Sequence, residues 1–175
     1  GGRAGTGDGA VNRNPIRVLV ADDSAFMRSV ITRILQGDPG IRVIDVARNG
    51  LEAVAKAIAL RPDVVTLDVE MPKLDGLGAL RRIMAECPCP VVMVSSQTRA
   101  GAATTVQALA LGAVDFVAKP SGPVSLDLDR VAHQLRQKVR LAAQVPVHTL
   151  RLPPGRREPV RRPRTRPPGP VASRP

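Results

Sequence analysis

Ile16-Arg17-Val18-Leu19-Val20-Ala21-Asp22-Asp23-Ser24 is the stretch that decides the fold: a run of mostly branched apolar side chains stops abruptly at two adjacent carboxylates and a serine. A continuous apolar run, in place of an alternating one, marks a strand buried on both faces, as in a parallel sheet. Ser24 is then placed to cap a following helix.

The pattern recurs along the chain. Ile41 to Ala47, Val64 to Leu67, Val91 to Ser95 and Val114 to Ala118 are short runs rich in valine and isoleucine and read as four further strands. Helical patterns separate them. The first starts at Ser24, places Met27, Val30, Ile31, Ile34 and Leu35 on one face, and stops at Gly37. Asn49 with Glu52 opens the second, which closes before Pro62. The third runs from Asp75 towards Glu86, the fourth from about Gly101 to Leu111, and the fifth from about Asp127 to Gln144. With right-handed crossovers, these five units predict an α/β fold, a flavodoxin-like (βα)5 doubly wound parallel sheet in three α/β/α layers.

The flanks differ in kind. Residues 1–15 hold five glycines and no periodicity, which predicts a flexible arm. Residues 146–175 hold nine prolines, and eight arginines against Glu158 alone, which predicts an extended, disordered linker or tail. The domain is therefore expected over residues 16–145, where 16 basic and 13 acidic side chains nearly balance. The net charge of +11 thus belongs mostly to the tail. Specific nucleic-acid recognition is not expected, because the chain has no tyrosine or tryptophan to stack on bases and no recognition helix follows the domain. No run approaches the roughly 18 to 20 apolar residues of a membrane span, so a soluble, cytoplasmic protein without membrane insertion is expected. Cys87 and Cys89, one proline apart, match neither a zinc set nor a disulfide framework and read as reduced thiols.

In doubly wound sheets, ligands bind beyond the carboxyl ends of the strands. Those ends carry Asp22 and Asp23, Asp68, Ser95 and Ser96, and Lys119 before Pro120. Each alone has a plain structural reading, as a helix cap, a turn or a loop. In order at successive strand ends they place three carboxylates, a hydroxyl and an ammonium on one rim. Converging carboxylates repel, and a hard divalent cation, Mg²⁺ or Mn²⁺, relieves them. Asp68, ending the central strand, is the candidate nucleophile towards phosphorus, with Asp22 and Asp23 as metal holders and the backbone carbonyl of Glu70 completing the shell. Lys119 and Ser95 would stabilise the charge on a transferring phosphoryl group.

Leu19-Val20-Ala21-Asp22-Asp23-Ser24, Leu67-Asp68-Val69-Glu70-Met71-Pro72 and Val117-Ala118-Lys119-Pro120 resemble the signature segments of response-regulator receivers over residues 16–122. Ala21 to Arg28, Pro90 to Ser96 and Leu111 to Gly122 are similar to the receiver half of chemotaxis protein-glutamate methylesterases. The resemblance implies phosphorylation of Asp68 by a chemotaxis histidine kinase, with Ser95 and Phe116 as switch positions. It also implies control of a methylesterase domain acting on chemoreceptors. No serine, histidine and aspartate catalytic domain follows within the chain, and His133 and His148 lack a nucleophile partner, so esterase activity is not expected of these residues. A phosphatase of the haloacid-dehalogenase type also uses an aspartyl nucleophile, but places it in Asp-x-Asp after the first strand, whereas here the pair is adjacent.

Overall fold

The computed structural model of the protein describes residues 14–96, 101–120 and 126–150. Residues 1–13 of the expected arm, residues 151–175 of the expected tail, and Ser121 and Gly122 of the last similar segment lie outside the described residues. Strands and helices alternate: β1 (Ile16–Ala21), α1 (Ala25–Gln36), β2 (Ile41–Ala47), α2 (Gly50–Leu60), β3 (Val64–Asp68), α3 (Gly76–Glu86), β4 (Val91–Ser95), α4 (Gly101–Ala110), β5 (Asp115–Ala118) and α5 (Leu126–Ala142). All pairings are parallel, in the order β2-β1-β3-β4-β5. This is the doubly wound sheet that the apolar runs predict.

Strand geometry explains those runs. Successive side chains point to opposite faces, and both faces are covered. Val18, Val20, Val64, Val92, Val94 and Val117 pack with α1 and α5, through Ile31, Leu35, Leu135 and Val139. Leu19, Ala21, Val65, Leu67, Val91 and Met93 pack with α2, α3 and α4, through Val54, Leu80, Ile83 and Ala108. A polar residue on either face of a central strand would therefore be buried, which keeps polarity to the strand ends.

The caps act as their residue types require. Ser24, Asn49 and Asp75 accept from the amides of Met27, Glu52 and Gly78 at 3.2, 2.8 and 2.7 Å. Element ends differ from the sequence reading by at most two residues. β3 gains Asp68, β5 begins at Asp115, α4 ends at Ala110, and α5 spans Leu126 to Ala142.

One boundary differs more. The chain does not become irregular at Pro146: that residue caps a short 3-10 helix, Val147–Thr149, and Leu150 is buried against the α2–α4 face beside Met84 and Ala113. Val145 packs on the same cluster. Proline is tolerated here because it precedes the turn, where no amide hydrogen is needed. The packed unit thus extends five residues past the expected end at 145.

The loop from β3 into α3 is held by a close backbone approach. The Gly76 amide donates to the Val69 carbonyl at 2.8 Å, and a Cβ on Gly76 would stand 2.1 Å from the Asp68 carbonyl oxygen. At Gly78 the nearest obstacle is only the end of the Leu74 side chain, at 2.6 Å. Gly76→Ala is expected to cost about 2 to 3 kcal/mol in urea unfolding, because backbone must move. Gly78→Ala should cost under about 1 kcal/mol, its crowding offset by helix propensity; equal losses at both positions would contradict this account.

Candidate functional site

The order β2-β1-β3-β4-β5 reverses direction between β1 and β3, and at such a reversal the adjoining loops diverge and leave a crevice at the carboxyl edge. Register decides what lines it. Ala21 pairs with Leu67, Asp68 with Val94, and Ser95 with Ala118, so the residues ending β1, β3, β4 and β5 arrive at nearly one level. Of the side chains that the sequence placed on this rim, Asp22, Asp23, Asp68 and Lys119 are brought together.

One carboxylate oxygen each from Asp22, Asp23 and Asp68 lies within 4.8 Å of the others. Asp22 is 0% exposed and Asp68 4%, while Asp23 faces solvent. Lys119 extends its ammonium to 2.8 Å from Asp68 Oδ2 and 2.9 Å from Asp22 Oδ2. The first contact has hydrogen-bond alignment; the second is an ion pair that leaves Asp22 Oδ2 without a hydrogen-bond donor. Among the described residues the buried polar side chains are Asp22, Thr66, Asp68 and Ser95, and three of these four lie at the rim.

Electrostatics follow from this arrangement. Burial pushes the Asp68 carboxyl up to about 6; the Lys119 hydrogen bond pulls it down, and the Asp22 charge pushes it up again. For Lys119, burial disfavours the ammonium, but Asp22 and Asp68 outweigh it and hold the group above its ordinary value. One ammonium therefore faces three carboxylates in a partly dry crevice. An all-oxygen donor set with surplus negative charge and an orphaned buried oxygen fits a hard divalent cation and does not call for a soft metal.

The remaining expected residues sit as follows. Ser95 is buried at the end of β4, and its carbonyl accepts from the Lys119 amide at 2.8 Å. The Glu70 side chain is exposed, and its amide donates to Asp68 Oδ1 at 3.3 Å. Phe116 is half-buried on β5, opposite Met93, and packs on the α2–α4 side. Ser96 is exposed. His133 and His148 are exposed on the last helix and in the 3-10 turn, away from these strand ends. Cys87 and Cys89 are free and buried, and burial together with the Cys87 charge pushes the Cys89 thiol up to about 12. No helix of the described residues is long and apolar enough to cross a membrane. Sequence reasoning missed Arg28, whose Nη1 donates to the Asp22 carbonyl at 2.9 Å.

Known proteins share this fold. The family model of the response regulator receiver domain matches residues 18–129. The response regulator domain of Thermotoga maritima CheB superposes with a TM-score of 0.70 at 53% identity, over 76% of this chain and 99% of that one. The structure of the P1 domain of CheA3 in complex with CheY6 from R. sphaeroides contains a chain matching at TM-score 0.59 and 34% identity, over 73% of this chain and 98% of that one. A protein-glutamate methylesterase/protein-glutamine glutaminase of Symbiobacterium thermophilum is 60% identical over 131 residues, 75% of this chain but 36% of the relative. The chain belongs to the response regulator receiver domain family, and its receiver is of the CheB chemotaxis type. It spans between 36% and 40% of the length of the curated methylesterases it matches.

If the crevice takes a divalent cation, Mg²⁺ should stabilise the folded state alone. At a hundredfold excess over its Kd the gain is about 2.7 kcal/mol, on the order of 10 °C in Tm. Differential scanning fluorimetry in chelator and in Mg²⁺ measures it. Asp23→Asn, at an exposed position that leaves packing intact, should abolish most of the rise; an unchanged rise would exclude Asp23 as a ligand.

Proposed function

We propose that this receiver is a phosphorylation switch in which Asp68 accepts a phosphoryl group from a chemotaxis histidine kinase, with Mg²⁺ or Mn²⁺ bound by Asp22, Asp23, Asp68 and the Glu70 carbonyl. The observation that carries this reading is the meeting of three carboxylates and Lys119 at the β1/β3 crevice. A carboxylate oxygen of Asp68 attacks phosphorus, and the O–P bond forms as the bond from phosphorus to the donor's leaving nitrogen breaks. Lys119, already oriented by Asp22 and Asp68, meets the negative charge on the phosphoryl oxygens without further reorganisation. When bound, the metal offsets the repulsion between carboxylate and phosphoryl oxygens. Ser95 supplies a hydroxyl to the same charge, and Ser95 with Phe116 are the switch positions.

The partner side of the reading has its own support. The P1 domain of CheA3 is solved in complex with CheY6, and a chain of that complex is similar to this one. The curated relatives are named as methylesterases and glutaminases, so we propose that in the whole protein the receiver controls such a domain, acting on chemoreceptors in the cytoplasm. Residues 16–145, extended to Leu150 by packing, form the receiver on this reading. On the same reading residues 1–15 serve as an arm, and the Arg/Pro-rich residues after 150 as a linker or tail without specific nucleic-acid binding.

Incubation with Mg²⁺ and acetyl phosphate should add about 80 Da to the intact protein, and Asp68→Asn should add none. Lys119→Ala should label at least about tenfold more slowly while still binding the metal. Labelling of Asp68→Asn equal to wild type would move the acceptor elsewhere and end this assignment.

A further inference from the structure

Three polar atoms of Asp22 are hydrogen-bonded and the fourth, Oδ2, has only an ion pair, each to a different part of the fold. Its amide donates to the Ala47 carbonyl of β2 at 3.0 Å. Its Oδ1 accepts from the Ser24 amide at 2.9 Å, and its Oδ2 stands 2.9 Å from the Lys119 ammonium. Its carbonyl accepts from Arg28 Nη1 at 2.9 Å. The first three fix the side chain and the strand exit. The last fixes the peptide that joins Asp22 to Asp23, since that peptide's oxygen is the one the guanidinium holds.

Asp23 depends on that peptide more than its neighbour does. Its side chain is exposed, and no hydrogen bond from it is recorded among the described residues, whereas Asp22 is packed on all sides. A rotation of the 22–23 peptide would leave Asp22 nearly in place and swing Asp23 away from the other two carboxylates. The Arg28 side chain, half-buried on the first turn of α1, blocks that rotation from outside the acid cluster.

We propose that Arg28 is a positioning residue for the metal site: it clamps the Asp22–Asp23 peptide and presets Asp23 as a ligand, against the repulsion that its own positive charge exerts on the cation. The inference rests on the reading of Asp22, Asp23 and Asp68 as metal ligands and assigns one residue beyond them.

Charge and clamp act with opposite sign. As a charge alone, Arg28 opposes a dication, so its removal would tighten Mg²⁺ binding. As a clamp, its removal loosens binding, by about tenfold on the scale seen when groups that orient metal ligands are lost. The test uses the full chain and titrates Mg²⁺ by calorimetry or by Asp22 and Asp23 amide shifts in NMR, with wild type, Arg28→Met and Arg28→Lys.

The expected result is a Kd raised about tenfold in Arg28→Met, a smaller rise in Arg28→Lys, and a Tm in chelator within about 2 °C of wild type. A Kd unchanged or lowered in Arg28→Met overturns the proposal, as does a binding loss no larger than that from an equally destabilising core substitution such as Ile34→Val. Should Arg28→Met fail to fold, Arg28→Lys decides: about threefold weaker binding is expected, and wild-type affinity overturns the clamp. If wild type itself binds no Mg²⁺, the metal reading has failed; if wild type binds and both variants match it, only the clamp has.

Discussion

Three carboxylates and one ammonium at a crevice do not balance, and the rest of the site is arranged around that excess. Two of the acids are almost wholly withdrawn from water, where repulsion is screened least. The fold tolerates this because Lys119 spans Asp22 and Asp68 and because the Ser24 and Glu70 amides each donate to a carboxylate oxygen. These contacts hold the geometry without cancelling the charge. The raised pKa of Asp68 is the measure of what remains: burial costs more than one shared ammonium returns. A site left in deficit of positive charge favours whatever cation can enter it.

The location of that deficit is a consequence of topology. A strand order that reverses between β1 and β3 opens the rim there, and parallel strands all deliver their carboxyl ends to that same rim. The interior of the sheet is closed to polarity by helices on both faces, so the polar rim residues fall on the last position of β3 and β4 or directly after β1 and β5. Thr66 marks the limit of this rule. It lies inside β3 with its hydroxyl lacking a hydrogen-bond partner among the described residues, two positions before Asp68. Its methyl group satisfies the apolar packing that a valine would, which is why a single hydroxyl there is tolerable and a carboxylate would not be.

Much of this was legible in the sequence because the signals were local. Buried parallel strands read as Val- and Ile-rich runs, and Ser24, Asn49 and Asp75 announce helix starts through one side-chain bond each. Asp22, Asp23, Asp68 and Lys119 could be placed on one rim because strand ends in a parallel sheet share an edge. What was not legible depends on three-dimensional proximity. Pro146 and the polar residues after it resemble the start of a linker, and only packing on the apolar cluster that holds Met84 and Ala113 makes Leu150 part of the core. Arg28 reads as an ordinary exposed-face arginine until the turn after β1 brings the Asp22 carbonyl within its reach.

The same contacts suggest how a charge on Asp68 reaches the surface. Lys119 is both the counter-ion of Asp68 and the residue whose amide closes the β4–β5 ladder on the Ser95 carbonyl. Three residues upstream, on β5, stands Phe116, and its carbonyl accepts from the Lys138 ammonium of α5 at 2.7 Å, while Asp115 takes the same ammonium at 3.1 Å. β5 is thus tethered at one end to the acid crevice and along its length to α5. On the proposed reading, a phosphoryl group draws the Ser95 hydroxyl towards new oxygens, and the adjustment falls on the segment between the tethers. Phe116 is the large apolar side chain there that is only half-buried, so it is the group that can change position without opening the core.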